Sequence, residues 1–442
     1  MRRRTLIRQG LATAVAFMGG RLTAVAKPDQ SIDALVIGAG LAGLACAQRL
    51  MAAGQRVMVL EARQRIGGRI WTEHRQGCAL DLGASWLHGT TNNPIHRLVS
   101  KDLRLQVIPT DEQSRTTIGV DGQRWSAERS ERADAWLDAF VRPAEDSGSA
   151  DQPLSRLLPK PLSADQLFTL IADVKHEVGA PLSAIAANAP LGDGDALLGG
   201  DALVPDGLDH VIKHLAQGVE IRLGHVVQTI ENQPQGVRVT TTAGATFNAR
   251  RLCCTVPLGV LKRNLIRFEP PLPKEKARAI AGLGMGVLDK IVLLFPERFW
   301  DPTNWLRNDG SESGLWPEWA DLTSVIGRPA LMGFIAATQA QQLERLPDQA
   351  ILNSALNQLK RCYPTRSIPA PTEVLITRWN EDPFACGSYS FAAVGSTPGM
   401  RADLAMRWDA VVFAGEAVST SYPATMQGAY QSGIQAAQTL LV

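Results

Sequence analysis

The chain has 442 residues, 45% hydrophobic and 20% charged, with a formal charge of +2. That length allows two sizeable cores, and the composition is that of a globular protein. The near-balanced charge, with no basic stripe interleaved with aromatics, argues against nucleic acid as a partner.

The first 26 residues read as a targeting segment. Met1–Arg8 holds four arginines and no acid, and Leu11–Gly20 is apolar but too short to span a bilayer. Ala24-Val25-Ala26 suits a cleavage site. Arg3-Arg4-Thr5-Leu6-Ile7-Arg8 is similar to the twin-arginine export motif. The expectation is a periplasmic or secreted protein, carried by the export machinery for folded proteins, with no stable membrane span. A disordered basic tail is the alternative. The segment holds five arginines, so the remainder would carry +2 − 5 = −3, which is compatible with a cationic substrate.

Ile32–Ile37 is an apolar run suited to a buried parallel strand. Gly38, Gly40 and Gly43 fit G-x-G-x-x-G: a tight turn, close approach to a pyrophosphate, and close helix–strand packing. A helix from Leu41 to about Ala53 would aim its N-terminal N–H groups at the phosphates. Arg56–Leu60 is the next strand, and Glu61, 23 residues after Gly38, is placed to bind ribose hydroxyls. Arg63, Gly67, Gly68 and Arg69 follow as E-A-R-x-x-I-G-G-R. A nicotinamide site needs no second glycine turn there. A longer cofactor, with a pyrophosphate and a ribityl chain, could use one.

Residues 75–94 form a glycine-punctuated loop region, and residues 97–200 read as mostly helical. Val219–Leu223, His225–Glu231, Gly236–Thr242 and Arg251–Thr255 read as short strands. Glu275–Leu283 is a helix, Val287–Phe295 an apolar strand containing Lys290, and Ala350–Cys362 a helix. The chain ends with a strand at Ala410–Phe413, a turn at Gly415 and a helix from about Thr425 to Leu441. That last unit is a second phosphate-style helix start. If both ends serve one cofactor, the cofactor domain is discontinuous, taking roughly 31–96, 201–281 and 379–442, with a substrate domain at 97–200 and 282–378. The six cysteines lack metal-type spacing, and His210 and His214 lack an accompanying acid signature, so no metal site is expected.

GASWLHG at 83–89, CTVPLGVLK at 254–262, DPFACGSYSF at 382–391 and FAGEAVSTSYPATMQGAYQSG at 413–433 join the N-terminal fingerprint. Together they resemble the flavin amine oxidase superfamily, in its polyamine oxidase and lysine-specific histone demethylase branch. The resemblance implies an α/β fold: a Rossmann-like, glutathione-reductase-like FAD domain with an interleaved α+β substrate domain. It implies oxidation of an amine to an imine, hydrolysis to an aldehyde and a smaller amine, and reduction of molecular oxygen to hydrogen peroxide. Residue by residue, it implies that Lys290 assists the oxygen reaction; a strand lysine otherwise snorkels out. Trp86 and His88 would border the substrate, as would Glu177, Phe384, Tyr389 and Thr425. For His88 a structural bond, for Glu177 a solvated helix position and for Tyr389 core packing stay open. Only the first of two cage aromatics is present, since Thr425 stands at the second. FAD would be held by Gly38, Gly40, Gly43, Glu61, Arg63, Gly68, Arg69, Val227, Trp379, Gly415, Glu416 and Met426. It would be non-covalent, because Ser388 stands where a tethering cysteine would, with Cys386 two residues away. An L-amino-acid oxidase is the alternative activity, disfavoured by the lack of arginine in GASWLHG. A peptidyl-lysine demethylase or protein-binding flavoprotein is less favoured still.

Overall fold

A computed structural model describes residues 32–442 except 112, 120–121, 190–196 and 310–314. The expected export segment lies outside the described residues. Ile32–Val442 forms one compact unit organised on two sheets.

The larger sheet has eight strands. Ile32–Ile37 lies at its centre, parallel to Val57–Leu60 on one side and to Thr246–Cys254 on the other. Glu220–Arg222 extends the first edge. The nine-residue strand Thr246–Cys254 serves two neighbours along its other edge. Its first half pairs antiparallel with Gly236–Thr241, and its last three residues pair parallel with Val411–Phe413. The sheet thus splits into a meander and a parallel portion, and the C-terminal unit enters at the split. The central strands are buried on both faces and correspondingly apolar. Helix Leu41–Ala52 covers one face and packs on the terminal helix Met426–Leu441. The approach is tight: a Cβ on Gly433 would lie 2.2 Å from the Ala42 carbonyl oxygen.

The smaller sheet has six strands, in the order Glu373–Ile376, Leu288–Leu294, Ala330–Ala336, Glu318–Asp321, Trp305–Asn308, Arg115–Ile118. All neighbours are antiparallel except the last pair. Strand Leu288–Leu294 alternates between two buried faces. Val292 and Leu294 pack with Leu80, Leu82, Trp86 and Phe334. Ile291 and Leu293 pack with Ile335, Ala340 and Leu343 instead. Lys290 therefore shares a face with Trp86, and Asp289 faces the helix Ala337–Leu343.

The expectation for residues 97–200 differs from what folds. Ile108–Thr110 and Arg115–Ile118 are strands that pair with segments far along the chain, and such pairing leaves little local periodicity. Within the helical part, Leu170–Lys175 is a π-helical turn running directly into His176–Val178. Such widened turns re-aim the side chains that follow them.

Candidate active site

A large cavity of ≈ 1470 Å³ is lined by residues of both sheets. Among the residues singled out from sequence, all but Gly43 line it. Gly43 acts behind it, because a Cβ there would sit 2.0 Å from the Gly38 carbonyl oxygen. The helix must approach the strand that closely to bring its N-terminus to the cavity.

One end of the cavity is a dinucleotide cradle. No side chain caps helix Leu41–Ala52, so its first-turn N–H groups are left to a ligand. The contrast is the terminal helix, whose first turn is capped by the Thr425 hydroxyl accepting from Gly428 N–H at 3.0 Å. Buried Glu61 accepts from the N–H groups of Ala39 (2.8 Å) and Arg63 (2.8 Å), which fixes its carboxylate beside the glycine turn with acceptor capacity to spare. Val227 lines the cavity from the start of strand Val227–Gln233, farther out in the same sheet. Arg63 is held by Asp382 (2.7 Å), with its guanidinium 5.5 Å from the Phe384 ring centroid. These features fit FAD: an uncapped helix start for a pyrophosphate, an acid for ribose hydroxyls, and a cavity that continues past both.

The chain ends meet through Arg69 and Glu416. Arg69 donates to Glu416 Oε1 at 2.8 Å and to the Ser388 carbonyl at 2.8 Å. Glu416 Oε2 accepts from the Ser390 hydroxyl (2.6 Å) and from Ala424 N–H (3.1 Å). Burial opposes its ionisation, but Arg69, Ser390 and Arg401 together hold its carboxyl below the usual range. Glu416 is thus a cross-link between four segments as much as a ligand group. The Thr425 hydroxyl is similarly engaged, since besides capping it donates to the Tyr422 carbonyl at 2.9 Å. Arg401 and Ser390, both lining the cavity, carried no signal in the sequence that set them apart.

The opposite wall brings the reactive groups together. Lys290 is 6% exposed. Its Nζ donates to the Gly83 carbonyl (2.6 Å) and the Ser85 hydroxyl (2.6 Å), with the Asp81 carbonyl at 3.4 Å. Burial pushes its pKa down to about 7, against the pull of Asp81. Trp86 stacks on Trp305 at 5.4 Å. His88 Nδ1 lies 2.6 Å from Asp201 Oδ2. Burial raises the Asp201 carboxyl, but His88 and the Gly89 N–H outweigh it and leave it below its usual range. Trp379 lines the cavity and donates to the Leu82 carbonyl at 3.3 Å. The Tyr389 hydroxyl donates to the His176 carbonyl at 3.0 Å and is pushed well up by burial and by Glu177. Glu177 lies on the wall just after the π-helical turn. Arg307, unnoticed in the sequence, is clasped by Asp173 (2.5 Å) and Glu318 (2.8 Å). The partners of Lys290 were inside a recognised motif, yet nothing in the sequence joins residue 290 to residues 83–85.

Other residues of these motifs are structural. Lys262, in the CTVPLGVLK motif, donates to the carbonyls of Ile280, Ala281 and Leu283 and so closes the helix Lys274–Gly282. Tyr430 packs in the helix-covered core rather than on the cavity. All six cysteines are buried and unbridged. Among the described residues there is no group of three or more metal-type ligands, and no helix is long and apolar enough to cross a membrane.

Comparison with known proteins agrees with this geometry. The profile of the flavin containing amine oxidoreductases matches residues 41–441. Polyamine oxidase 2 of Arabidopsis thaliana is 34% identical over 92% of this chain and 88% of its own length. Lysine-specific histone demethylase 2 of Homo sapiens is 30% identical over 98% of this chain, which spans 56% of that protein. A redesigned putrescine oxidase has the same fold, with a TM-score of 0.77 at 21% identity, covering 92% of this chain and 98% of its own. The chain belongs to the flavin-containing amine oxidoreductase family, and it is an FAD-dependent amine oxidase.

Proposed function

We propose that the amine is an extended polyamine, held with its charged nitrogens along the acidic wall and its reacting carbon near Lys290 and Tyr389. The observation that carries this is the charge balance of the wall away from the cradle. Asp134, Asp138, Asp173, Glu177 and Glu318 line it against Arg115 and Arg307. Both arginines are already paired, Arg115 to Asp134 and Arg307 to Asp173 and Glu318. A surplus of carboxylates in a partly desolvated cavity favours a ligand with several positive charges. The same pairing counts against an amino-acid substrate, whose carboxylate needs an unopposed guanidinium.

Bound FAD supplies the two-electron oxidation of the amine and passes the electrons to oxygen. The chain's own tasks are positional and electrostatic. Lys290, with its pKa near 7, is a buried amine able to donate or hold a proton at Nζ. Tyr389, tied by its hydroxyl to the segment bearing Glu177, and Trp86 on Trp305 form rigid walls. His88, oriented by Asp201, lines the cavity as a polar group that titrates near neutral pH in its ordinary state. Ser388 is engaged with Leu288 through both its donor and its acceptor and is no tether. FAD is therefore expected to leave with denaturation.

The test is peroxide release from the purified yellow protein with spermine, spermidine, putrescine, tyramine and L-amino acids in parallel. Turnover that rises with the number of charges supports the reading, and a preference for tyramine or amino acids overturns it. We further infer export of the folded, flavin-loaded protein through the twin-arginine segment at its N-terminus. Replacing Arg3 and Arg4 by Lys should leave activity inside the cell, and unchanged fractionation would refute the inference.

A further inference from the structure

Two buried acids that the reaction does not use face one another behind the active site. Asp289 precedes Lys290 in the strand but points to the opposite face, and Glu344 follows the helix Ala337–Leu343. They are 3% and 5% exposed. Asp289 Oδ1 accepts from the Thr377 hydroxyl (2.7 Å) and Trp379 N–H (2.9 Å). Glu344 Oε1 accepts from Asn380 N–H (2.7 Å), and Oε2 from Glu381 N–H (3.1 Å). Three consecutive N–H groups of one turn are thus held by carboxyls from two different elements.

Asp289 Oδ2 is buried with no donor, while the Glu344 carboxyl lies within hydrogen-bonding reach of Asp289. Two ionised carboxylates cannot share a dry pocket without strong repulsion, and one proton between them also fills the orphaned oxygen. We propose that Asp289 and Glu344 share a single proton, and that it locks the turn Thr377–Asp382 against the cavity. The turn carries Trp379, which lines the cavity, and Asp382, which holds Arg63. The pair is therefore a positioning device for the cofactor end, loosened by alkali.

The surrounding charges fit one shared proton. Arg378 uses its guanidinium on the carbonyls of Glu344 and Leu346 and on Asp348. Lys290 points to the other face, and Asp382 is taken by Arg63. Glu381 approaches through its N–H. Burial first, and Asp289 next, push Glu344 up to about 8 from an ordinary 4.5. The folded chain then keeps a proton that the unfolded chain releases. The contribution to stability is full below pH 4.5 and is lost as pH rises through about 8.

The test is amide exchange, by mass spectrometry, on the flavin-loaded full chain at about pH 6 and about pH 9, corrected for the chemical rate. Asp289→Asn keeps the Oδ1 acceptor and places an N–H where the shared proton was. In the native protein, the amides of Trp379, Asn380 and Glu381 should exchange roughly tenfold faster at the higher pH. In Asp289→Asn they should exchange equally at both, and in Glu344→Ala rapidly at both. Native and Asp289→Asn proteins that behave alike at the higher pH would overturn the proposal. Should Glu344→Ala not fold, that comparison still decides. The readout is independent of which amine is oxidised, so failure of the polyamine reading leaves it standing.

Discussion

The two ends of the cavity are built in opposite ways. The core of the cradle is local: its glycine turn, helix start, Glu61 and Arg69 fall within Gly38–Arg69, and the uncapped helix start offers a ligand backbone N–H groups. The reactive wall is assembled from distant stretches, with Ser85, Trp86 and His88, then Asp173 and Glu177, then Lys290, then Trp305, Arg307 and Glu318, and finally Tyr389, and side chains do the work. The lesson is that a dinucleotide site needs a particular backbone path, which a short sequence encodes. A substrate wall needs only that the right groups converge, and many sequences achieve that.

The comparison can be broken by variants that should separate flavin content from turnover. The largest effect is expected for Lys290→Met, which removes the buried amine from Gly83 and Ser85. Turnover should fall by on the order of 10²-fold or more, while the purified protein stays yellow; a colourless Lys290→Met protein would erase the distinction. Arg307→Ala leaves buried Glu318 and half-buried Asp173 without their cation, at a cost of about 3 kcal/mol. Denaturant unfolding should register that loss, with flavin retained below the transition. Glu61→Ala acts at the other end, deleting the acid placed to bind ribose hydroxyls. One charge-assisted bond to the ligand contributes about 1.5–3 kcal/mol, so FAD titration of the apoprotein should show affinity lowered by at least tenfold. The smallest effect is Ser85→Ala, which removes one of the acceptors of Lys290, about 1 kcal/mol. It should lower kcat a few-fold without altering flavin affinity.

Titration sharpens the same contrast. Lys290 is neutral in the folded protein above about pH 7, whereas an unfolded lysine keeps its proton to 10.5. Between those values the unfolded chain binds more protons, so this residue makes stability rise with pH. The native protein should gain stability over that window relative to Lys290→Met. Turnover should also rise toward alkaline pH as the substrate nitrogen loses its proton. A flat profile from about pH 6 to 9 would count against amine oxidation.

Much of the cradle was legible because each of its demands is a rule about backbone. Gly43 must lack a side chain so that its helix can approach the Gly38 carbonyl. Glu61 follows its strand directly and so reaches the glycine turn. On the wall, the sequence marked Lys290 by the anomaly of a lysine in an apolar strand, and it marked Tyr389 and His88 through their motifs; Glu177 was marked by the resemblance alone. It could not mark Arg307, whose charge is cancelled by acids 134 residues before it and 11 after it. Nor could it show that Ser85 and Gly83 accept from Lys290, or that Asp201 orients His88.

By itself the sequence determined the cofactor and the family, because periodicity, glycine spacing and motifs are properties of short stretches. Only the tertiary structure decided which charges are cancelled and which face the cavity. The smaller sheet turns Lys290 toward Gly83 and its neighbour Asp289 toward Glu344. The alternation of a strand separates two adjacent residues onto opposite faces, and what each face meets is set by packing between distant segments.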